Sequence, residues 1–282
     1  MLVTIGSAAG LLSGMLGVAG GVIIVPLLTS RRIGLSPAAA SGTSLAAIVP
    51  IAAVGMTAYS GYHDVDLGAA LSIITGAIVG SATGARLAPR VSGNSLRLAF
   101  CLLLMLTSIR LLAPLWSSHG VAITGAPVGA VDGATRIAGL VAVGLGSGLV
   151  SGLLGSGGGT IMVPALVIAF GFPQQLAQGT ALLAVLPTCA SGIVQHRRQG
   201  TMDLPAAWRI GLGGALTVGF GAVLAAHAPA AALQFGLAGY ILVTAIVGLI
   251  GLRRGMSRRS SAIPKAAVSS TDCNPALVRE WG

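Results

Sequence analysis

Acidic residues are scarce in this chain, and charged residues of either sign are few. Of its 282 residues only 8% are charged, and six are Asp or Glu, whereas about a quarter of an ordinary soluble domain is charged. So little charge cannot cover a water-soluble surface, which excludes a soluble fold. The uncharged stretches 1–30, 33–62, 137–196 and 210–252 each exceed the roughly 20 apolar residues that a membrane-spanning helix needs. The chain is therefore expected to be a multi-pass membrane protein.

Patterns for metal binding, disulfides and nucleic-acid binding are also lacking. Cys101, Cys189 and Cys273 are odd in number and lack metal-site spacing, so they predict neither a disulfide framework nor a metal site. The arginine pairs behind the net charge of +10 lack the interleaved aromatic residues that stack on bases. No apolar segment carries a His/Asp/Glu constellation at helical spacing. We therefore expect no cofactor, no nucleic-acid partner and no enzymatic activity.

Eight apolar segments follow one another along the chain. They are all expected to be helical, because a lipid environment requires every backbone polar group to be paired within the chain. The tail 253–282 is polar, and we expect it to be disordered and cytoplasmic. The segments are 3–28, 37–58, 67–87, 96–116, 137–170, 176–194, 204–226 and 230–252.

The two halves of the chain repeat each other. Residues 10–28 and 148–166 agree at 12 of 19 positions with a shift of 138, and with a shift of 137 Gly42-Thr43 matches Gly179-Thr180. Each half therefore holds four hydrophobic segments. The predicted fold is an all-α polytopic membrane protein with a first transmembrane repeat at 1–116, a connecting loop at 117–136 and a second repeat at 137–252.

Glycine and proline interrupt the first segment of each half. Adjacent glycines add flexibility without extending a packing ridge, so Gly20-Gly21 and the run 157–159 predict an unwound break. Pro26 and Pro164, which follow these glycines, are predicted to break the helices as well. Glycines spaced by three or four residues instead favour close helix packing; these are Gly10, Gly14 and Gly17, and likewise Gly76, Gly80 and Gly84.

The arginines indicate how the two halves are oriented. They follow segments one and three in the first half but segments six and eight in the second. Because Lys and Arg favour the cytoplasmic side, eight plain crossings would separate the two groups. First segments that are re-entrant, entering and leaving on one face, would place both groups inside and make the halves inverted repeats. Inverted repeats with broken helices are typical of secondary transporters.

A broken helix also predicts an anion site. Its free N–H groups and positive dipole end can hold an anion without a buried cation, and the segment centres contain no Lys or Arg. Hydroxyls near the breaks could complete the site, together with Ser13 and Ser151, unless they bond back to helix carbonyls. The predicted substrate-binding residues are Gly17, Gly20, Gly21, Thr43, Ser44, Gly155, Ser156, Gly157, Gly158, Gly159, Thr160 and Thr180.

Two weaker candidates receive structural interpretations. His63, Asp64, Asp66, His196 and Asp203 lie at matching loop ends and are interpreted as solvated loop residues in preference to a proton relay. Cys189 could contact a sulfur-containing substrate, but a buried membrane cysteine usually behaves as a small apolar residue.

The duplicated glycine-rich segment ending in proline resembles the sulfite exporter TauE/SafE family of membrane transporters. The resemblance covers residues 3–252. It implies a transporter in a bacterial-type cytoplasmic membrane that moves a small anion such as sulfite, a sulfonate or another organic acid. An anion channel is the alternative. Substrate identity, transport direction, proton coupling and assembly into a homo-oligomer are left open.

Overall fold

The computed structural model describes residues 1–18, 20–30, 33–62, 65–89 and 133–261, together with 98, 101–102, 104–106 and 108–109. Most of the predicted fourth segment, most of the connecting loop and the end of the tail lie outside these residues. Within the described ranges, apart from the fourth segment, the chain forms nine helices. They are α1 (Leu2–Leu16), α2 (Gly21–Leu28), α3 (Pro37–Tyr62), α4 (Leu67–Leu87), α5 (Gly133–Leu154), α6 (Gly159–Phe170), α7 (Gln174–Arg198), α8 (Leu204–His227) and α9 (Ala230–Ser261).

Five of these helices are long and apolar enough to cross a membrane, namely α3, α4, α5, α7 and α8. Large apolar side chains also point outward: on α8, Trp208, Leu216 and Phe220 are 62%, 81% and 69% exposed. Such a surface is unfavourable in water and suits contact with lipid. The prediction of an all-helical multi-pass membrane protein is therefore confirmed.

The first helix of each half packs against the third long helix of the other half, α1 on α8 and α5 on α4. Glycines form these contacts: a Cβ atom added to Gly148 would overlap the backbone of Ala77. Small residues allow helix backbones in a membrane to approach this closely. The packing role predicted for Gly76, Gly80 and Gly84 is confirmed, because they face the backbone of α5.

Contacts along α8 show that α1 runs parallel to it. Gly6 lies beside Ile210, and Gly14, two turns later, lies beside Val218. Residue numbers thus increase together along the two helices.

Helix α3 also runs parallel to α8. Ala47 lies beside Gly211, and Ile51 lies beside Gly214. Helices α1 and α3 therefore point in the same direction although they follow each other in the chain, so the chain must return between them.

The return is made by the break and α2. Gly20 lies against Ala9, which is in the middle of α1, although α1 continues to Leu16. The second half does the same, because Gly158 lies against Ser147 of α5. Each first segment thus forms a helix, an unwound stretch that doubles back, and a shorter returning helix.

The second half repeats these directions around α4. Helix α5 runs parallel to α4, with Gly144 beside Ile73 and Gly152 beside Ser81. Helix α7 is parallel to α4 too, because Ser191 donates to Ile78 and Gln199 donates to Ala85. The helices α3 and α7 are antiparallel to each other, since the start of α3 at Gly42 contacts the end of α7 at His196.

Two local predictions are wrong, and a third is confirmed with an addition. Pro26 and Pro164 lie inside α2 and α6, because a proline removes only one N–H donor and the glycines before it already interrupt the helix. Gly17 packs closely against Gln178 of α7 as predicted, but it also ends α1 with a φ of 66°. The tail predicted to be disordered from residue 253 is helical as far as Ser261, where α9 ends. A polar segment does not span a membrane, but Arg and Met still favour a helix.

Candidate functional site

Glycines in a left-handed conformation form both breaks. In the first half Gly17 and Gly20 have φ of 66° and 60°, and in the second Gly155, Gly157 and Gly158 have φ of 72°, 81° and 82°. Residues with a side chain rarely adopt this conformation. The breaks predicted at the adjacent glycines are present, and each begins three residues earlier in the chain than its final left-handed glycine.

The two breaks touch each other in the interior of the protein. The backbone of Gly21, the first residue of α2, lies against the carbonyl of Gly155 and the backbone of Ser156, with Ile48 of α3 beside them. Gly159 begins α6 at the corresponding place in the second half. The positive ends of the two returning helices therefore lie in the core, one beside the middle of α1 at Ala9 and the other beside Ser147 in the second half of α5.

The first N–H groups of these helices have no acceptor within their own helix. No described residue accepts a hydrogen bond from the N–H groups of Gly21, Val22, Gly159 or Thr160. A buried donor without a partner is costly. Among the described residues these four N–H groups are therefore available to a further acceptor.

Five buried hydroxyl groups accompany the breaks. Each has no hydrogen-bond partner among the described residues, and each residue is at most 2% exposed. The alternative of bonds back to helix carbonyls is wrong for these five, although it holds for Ser147 and Thr188 elsewhere. The five are Ser13, Ser44, Ser151, Ser156 and Thr160.

The two halves contribute unequally to this polar lining. Ser156 and Thr160 of the second half are equivalent to Val18 and Val22 of the first, and both valines are buried. The first break therefore presents apolar side chains, and the second presents hydroxyls.

Thr43 and Thr180 are buried, and each contacts the other half of the protein. The hydroxyl oxygen of Thr43 accepts a hydrogen bond from the N–H of Asp203 at 3.0 Å, and Thr180 accepts one from Asp66 at 3.2 Å. The two aspartates cap α8 and α4 with their side chains. Both threonines thus fix the start of a long helix of the opposite half.

Sequence reasoning did not select Tyr59 or Gln178 and interpreted His196 as a loop residue, although all three bond next to the breaks. The hydroxyl of Tyr59 donates to the carbonyl of Gly14 at 2.7 Å and lies 2.9 Å from Oε1 of Gln178, which itself is completely buried. In the second half Nε2 of His196 lies 3.1 Å from the carbonyl of Gly152. The signal was present, since Tyr59 and His196 are 137 residues apart, the shift of the repeat.

The interpretation of loop-end residues as solvated needs correction for His196. It is 0% exposed, because Gly42 of α3 leaves room for its ring between the helices. Asp66 is partly buried and pairs with Arg136 at 3.1 Å. His63 and Asp64 lie outside the described residues. Cys189 is buried in the apolar core, as its structural interpretation predicted.

An apolar cavity of about 830 Å³ lies beside the first break. Its walls come from α1, α2, the described part of the fourth segment and α9, and Gly21 and Ser156 line it where it meets the breaks. It thus connects the buried donors with the flank of the bundle.

Two doubled-back helices that meet at a buried polar point, inside a bundle of apolar helices, are typical of membrane transporters. Comparison with known proteins identifies the family. The chain matches the sulfite exporter TauE/SafE family over residues 2–143 and 140–271, and it belongs to that family. It is a multi-pass membrane transporter of the bacterial cell membrane.

Curated relatives carry the same class of name. The chain is 29% identical to the probable membrane transporter protein YunE of Bacillus subtilis (strain 168), over 74% of this chain and 84% of the relative. It is 28% identical to a probable membrane transporter protein of Xylella fastidiosa (strain 9a5c), over 80% and 85%. YdhB of Bacillus subtilis, also a probable membrane transporter protein, is 36% identical over 37% and 43%. No solved structure matches the chain.

Proposed function

We propose that this protein is a secondary transporter of a small anion, which binds where the two breaks meet. The observation that carries the proposal is the set of buried, unpartnered donors at that point. The first two N–H groups of α2, the first two of α6 and the five hydroxyls lack partners among the described residues. An anion with several oxygens supplies the acceptors that these groups lack.

The charge distribution supports a site made of neutral donors. The described helix centres carry no Lys or Arg, and a charge at membrane depth is costly unless it is paired. Two helix N-termini supply positive potential without a titratable cation. A site of neutral donors binds an anion without a fixed opposite charge, which suits a transporter that must also release its substrate.

The chemistry of the donors favours an oxyanion. Sulfite, sulfonates and carboxylates present two or three oxygens that accept hydrogen bonds, and the matched family is described as sulfite exporters. Within this proposal the glycines of both breaks, with Ser44, Ser156 and Thr160, line the anion site. Thr43 and Thr180 lie near opposite ends of the antiparallel pair α3 and α7, since Gly42 contacts His196 and Gly179 contacts Tyr59. One small anion cannot contact both threonines, so they lie outside the proposed site.

We also propose that the two halves are inverted repeats in the membrane. The contacts that support this are directional: α1 and α3 run parallel to α8, whereas their counterparts α5 and α7 run parallel to α4. With α3 antiparallel to α7, each helix of one half opposes its counterpart. The hairpins would then enter from opposite faces, and the arginine-rich ends would lie in the cytoplasm, as the positive-inside rule requires.

Thermal unfolding of the purified protein with a panel of sulfite, sulfate, methanesulfonate and acetate tests the anion site. A specific ligand raises the unfolding temperature in a concentration-dependent way, and we expect at least one oxyanion to do so. Reconstituted protein should then show saturable counterflow of that anion. Absence of stabilisation by every anion contradicts the proposed substrate class, and ion flux without counterflow contradicts a carrier.

A further inference from the structure

A buried histidine stands at a position where the other half of the protein has a tyrosine. Tyr59 holds the carbonyl of Gly14, and His196 holds the carbonyl of Gly152. These two glycines are also equivalent, and each lies three residues before the first glycine of its break. Each half thus has an equivalent hydrogen bond from a side chain to the carbonyl three residues before its break. A tyrosine hydroxyl keeps its proton near neutral pH, whereas histidine titrates there.

The hydrogen bonds of the ring suit both protonation states. A carbonyl only accepts, so Nε2 carries a hydrogen in either state. Nδ1 lies 3.0 Å from Oγ1 of Thr201, and the same hydroxyl lies 3.2 Å from the backbone oxygen of His196. In the neutral ring Thr201 donates to Nδ1. After protonation Nδ1 donates to Thr201, whose hydroxyl then donates to the backbone oxygen, so every group keeps a partner.

The ring can exchange protons with the aqueous end of the bundle. Thr201 is half-buried in the short loop between α7 and α8, and its hydroxyl contacts Nδ1. The opposite nitrogen, Nε2, contacts the last turn of α5 before the break. A proton from the loop side therefore reaches a group that holds the re-entrant hairpin.

The groups around His196 do not neutralise a proton bound there. The charged residues of the surrounding elements are Arg197 and Arg198 on α7, Arg86 on α4 and Asp203 at the start of α8. Asp203 accepts from Ala206 as a helix cap, and Arg86 donates to Gln195. The turns of α3 and α5 that contact the ring carry no titratable residue. Among the described residues the ring has no carboxylate partner, so protonation adds positive charge.

We infer that His196 is the binding site of a coupling proton, so that protonation of Nδ1 and binding of the anion favour each other. This inference rests on the proposed anion transport. The imidazolium forms a stronger, charge-assisted bond to Gly152, which stabilises the hairpin that presents α6 to the anion. Its charge also favours an anion nearby. By linkage, the anion raises the affinity for the proton by the same factor.

The test measures anion affinity against pH in the full-length protein. Methanesulfonate is the probe, because it stays ionised between about pH 4.5 and about pH 7.5, a range that covers the titration of most histidines in proteins. His196→Tyr copies the first half and keeps a donor for Gly152, and His196→Gln keeps an N–H donor. The matched control is His227→Gln, because His227 is exposed and bonds only within its own helix.

The wild type and His227→Gln should bind methanesulfonate more tightly as the pH falls, by up to about tenfold per pH unit, the limit for one coupled proton. Affinity in His196→Tyr and His196→Gln should not change with pH. A pH dependence that persists in both variants, or is absent from the wild type, overturns the inference while anion binding stands. Absence of binding by the whole anion panel contradicts the proposed transport instead.

A second measurement needs no variant. Mixing the wild-type protein with methanesulfonate in weakly buffered solution near pH 6.5 should take up protons, by the fraction of a proton that the free ring does not already hold and never more than one per bound anion. Binding without any proton uptake overturns the inference, even if both variants fail to fold.

Discussion

The hydroxyl oxygen of Thr43 accepts a hydrogen bond from the backbone N–H of Asp203, and thereby joins the second long helix of one half to the third of the other. Thr180 and Asp66 form the same contact with the halves exchanged. Two residues selected from the sequence as anion ligands thus join the two halves of the protein. Their contribution to stability can be measured.

Thr43→Val and Thr180→Val should lower the stability of the protein without anion, by about 0.5–1.5 kcal/mol each, because each leaves one N–H without its acceptor. Thermal unfolding without anion measures this. Thr75→Val is the control, since the hydroxyl of Thr75 is exposed and bonds within its own helix. Unchanged stability in both variants would show that these contacts do not hold the halves together.

Ser44→Ala, Ser156→Ala and Thr160→Val should behave in the opposite way. These hydroxyls have no partner among the described residues, so their removal should not destabilise the anion-free protein. Each should weaken anion binding by about tenfold to a hundredfold, the value of a hydrogen bond to a charged group. Ser72→Ala, which removes an exposed hydroxyl, serves as the control. Normal affinity in all three variants places the anion elsewhere.

Gly158→Leu should abolish transport at matched expression. Its φ of 82° is strained for any side chain, and leucine would refill the break beside α6. Gly146→Leu, on the open face of α5 where nothing lies within 4 Å, should retain transport. Counterflow in proteoliposomes measures both. Equal activity of the two variants would show that transport does not depend on the break.

Gly80→Ala should destabilise the protein. Gly219→Ala, a second substitution at a helical glycine, is the control and should not. A Cβ at Gly80 would overlap the carbonyl of Leu145, whereas Gly219 faces open space. Overpacking of this kind costs about 1–3 kcal/mol. Thermal unfolding of the two variants provides the comparison, and equal stability would mean that α4 and α5 separate easily.

Cysteine labelling tests the inverted arrangement. In a background without Cys101, Cys189 and Cys273, single cysteines at Gly34 and at Ser257 should both resist an impermeant reagent added outside intact cells, because both positions are expected in the cytoplasm. Both should react after permeabilisation. If Gly34→Cys alone is labelled from outside, the inverted arrangement is wrong and the chain makes eight plain crossings.

Much of the architecture follows from local sequence patterns. Low charge and long apolar runs are sufficient for a helical membrane protein, and the repeated glycine-rich segment ending in proline located both breaks through Gly20-Gly21 and the run 157–159. Adjacent glycines predict a break because a residue without a side chain has a freer backbone of its own, whatever packs against it. The prolines misled for the same local reason, since one missing donor within α2 or α6 does not end a helix.

The partners of the polar side chains were decided only by the tertiary structure. The sequence determined that Thr43, Thr180, Tyr59 and His196 occur in matching pairs, but not what they contact. Thr43 and Thr180 contact residues 160 and 114 positions away in the other half. Tyr59 and His196 contact residues 45 and 44 positions away, across the break of their own half. Hydropathy and glycine spacing describe one segment at a time. Whether a hydroxyl is bonded to another helix or left without a partner depends on the segment that packs opposite it.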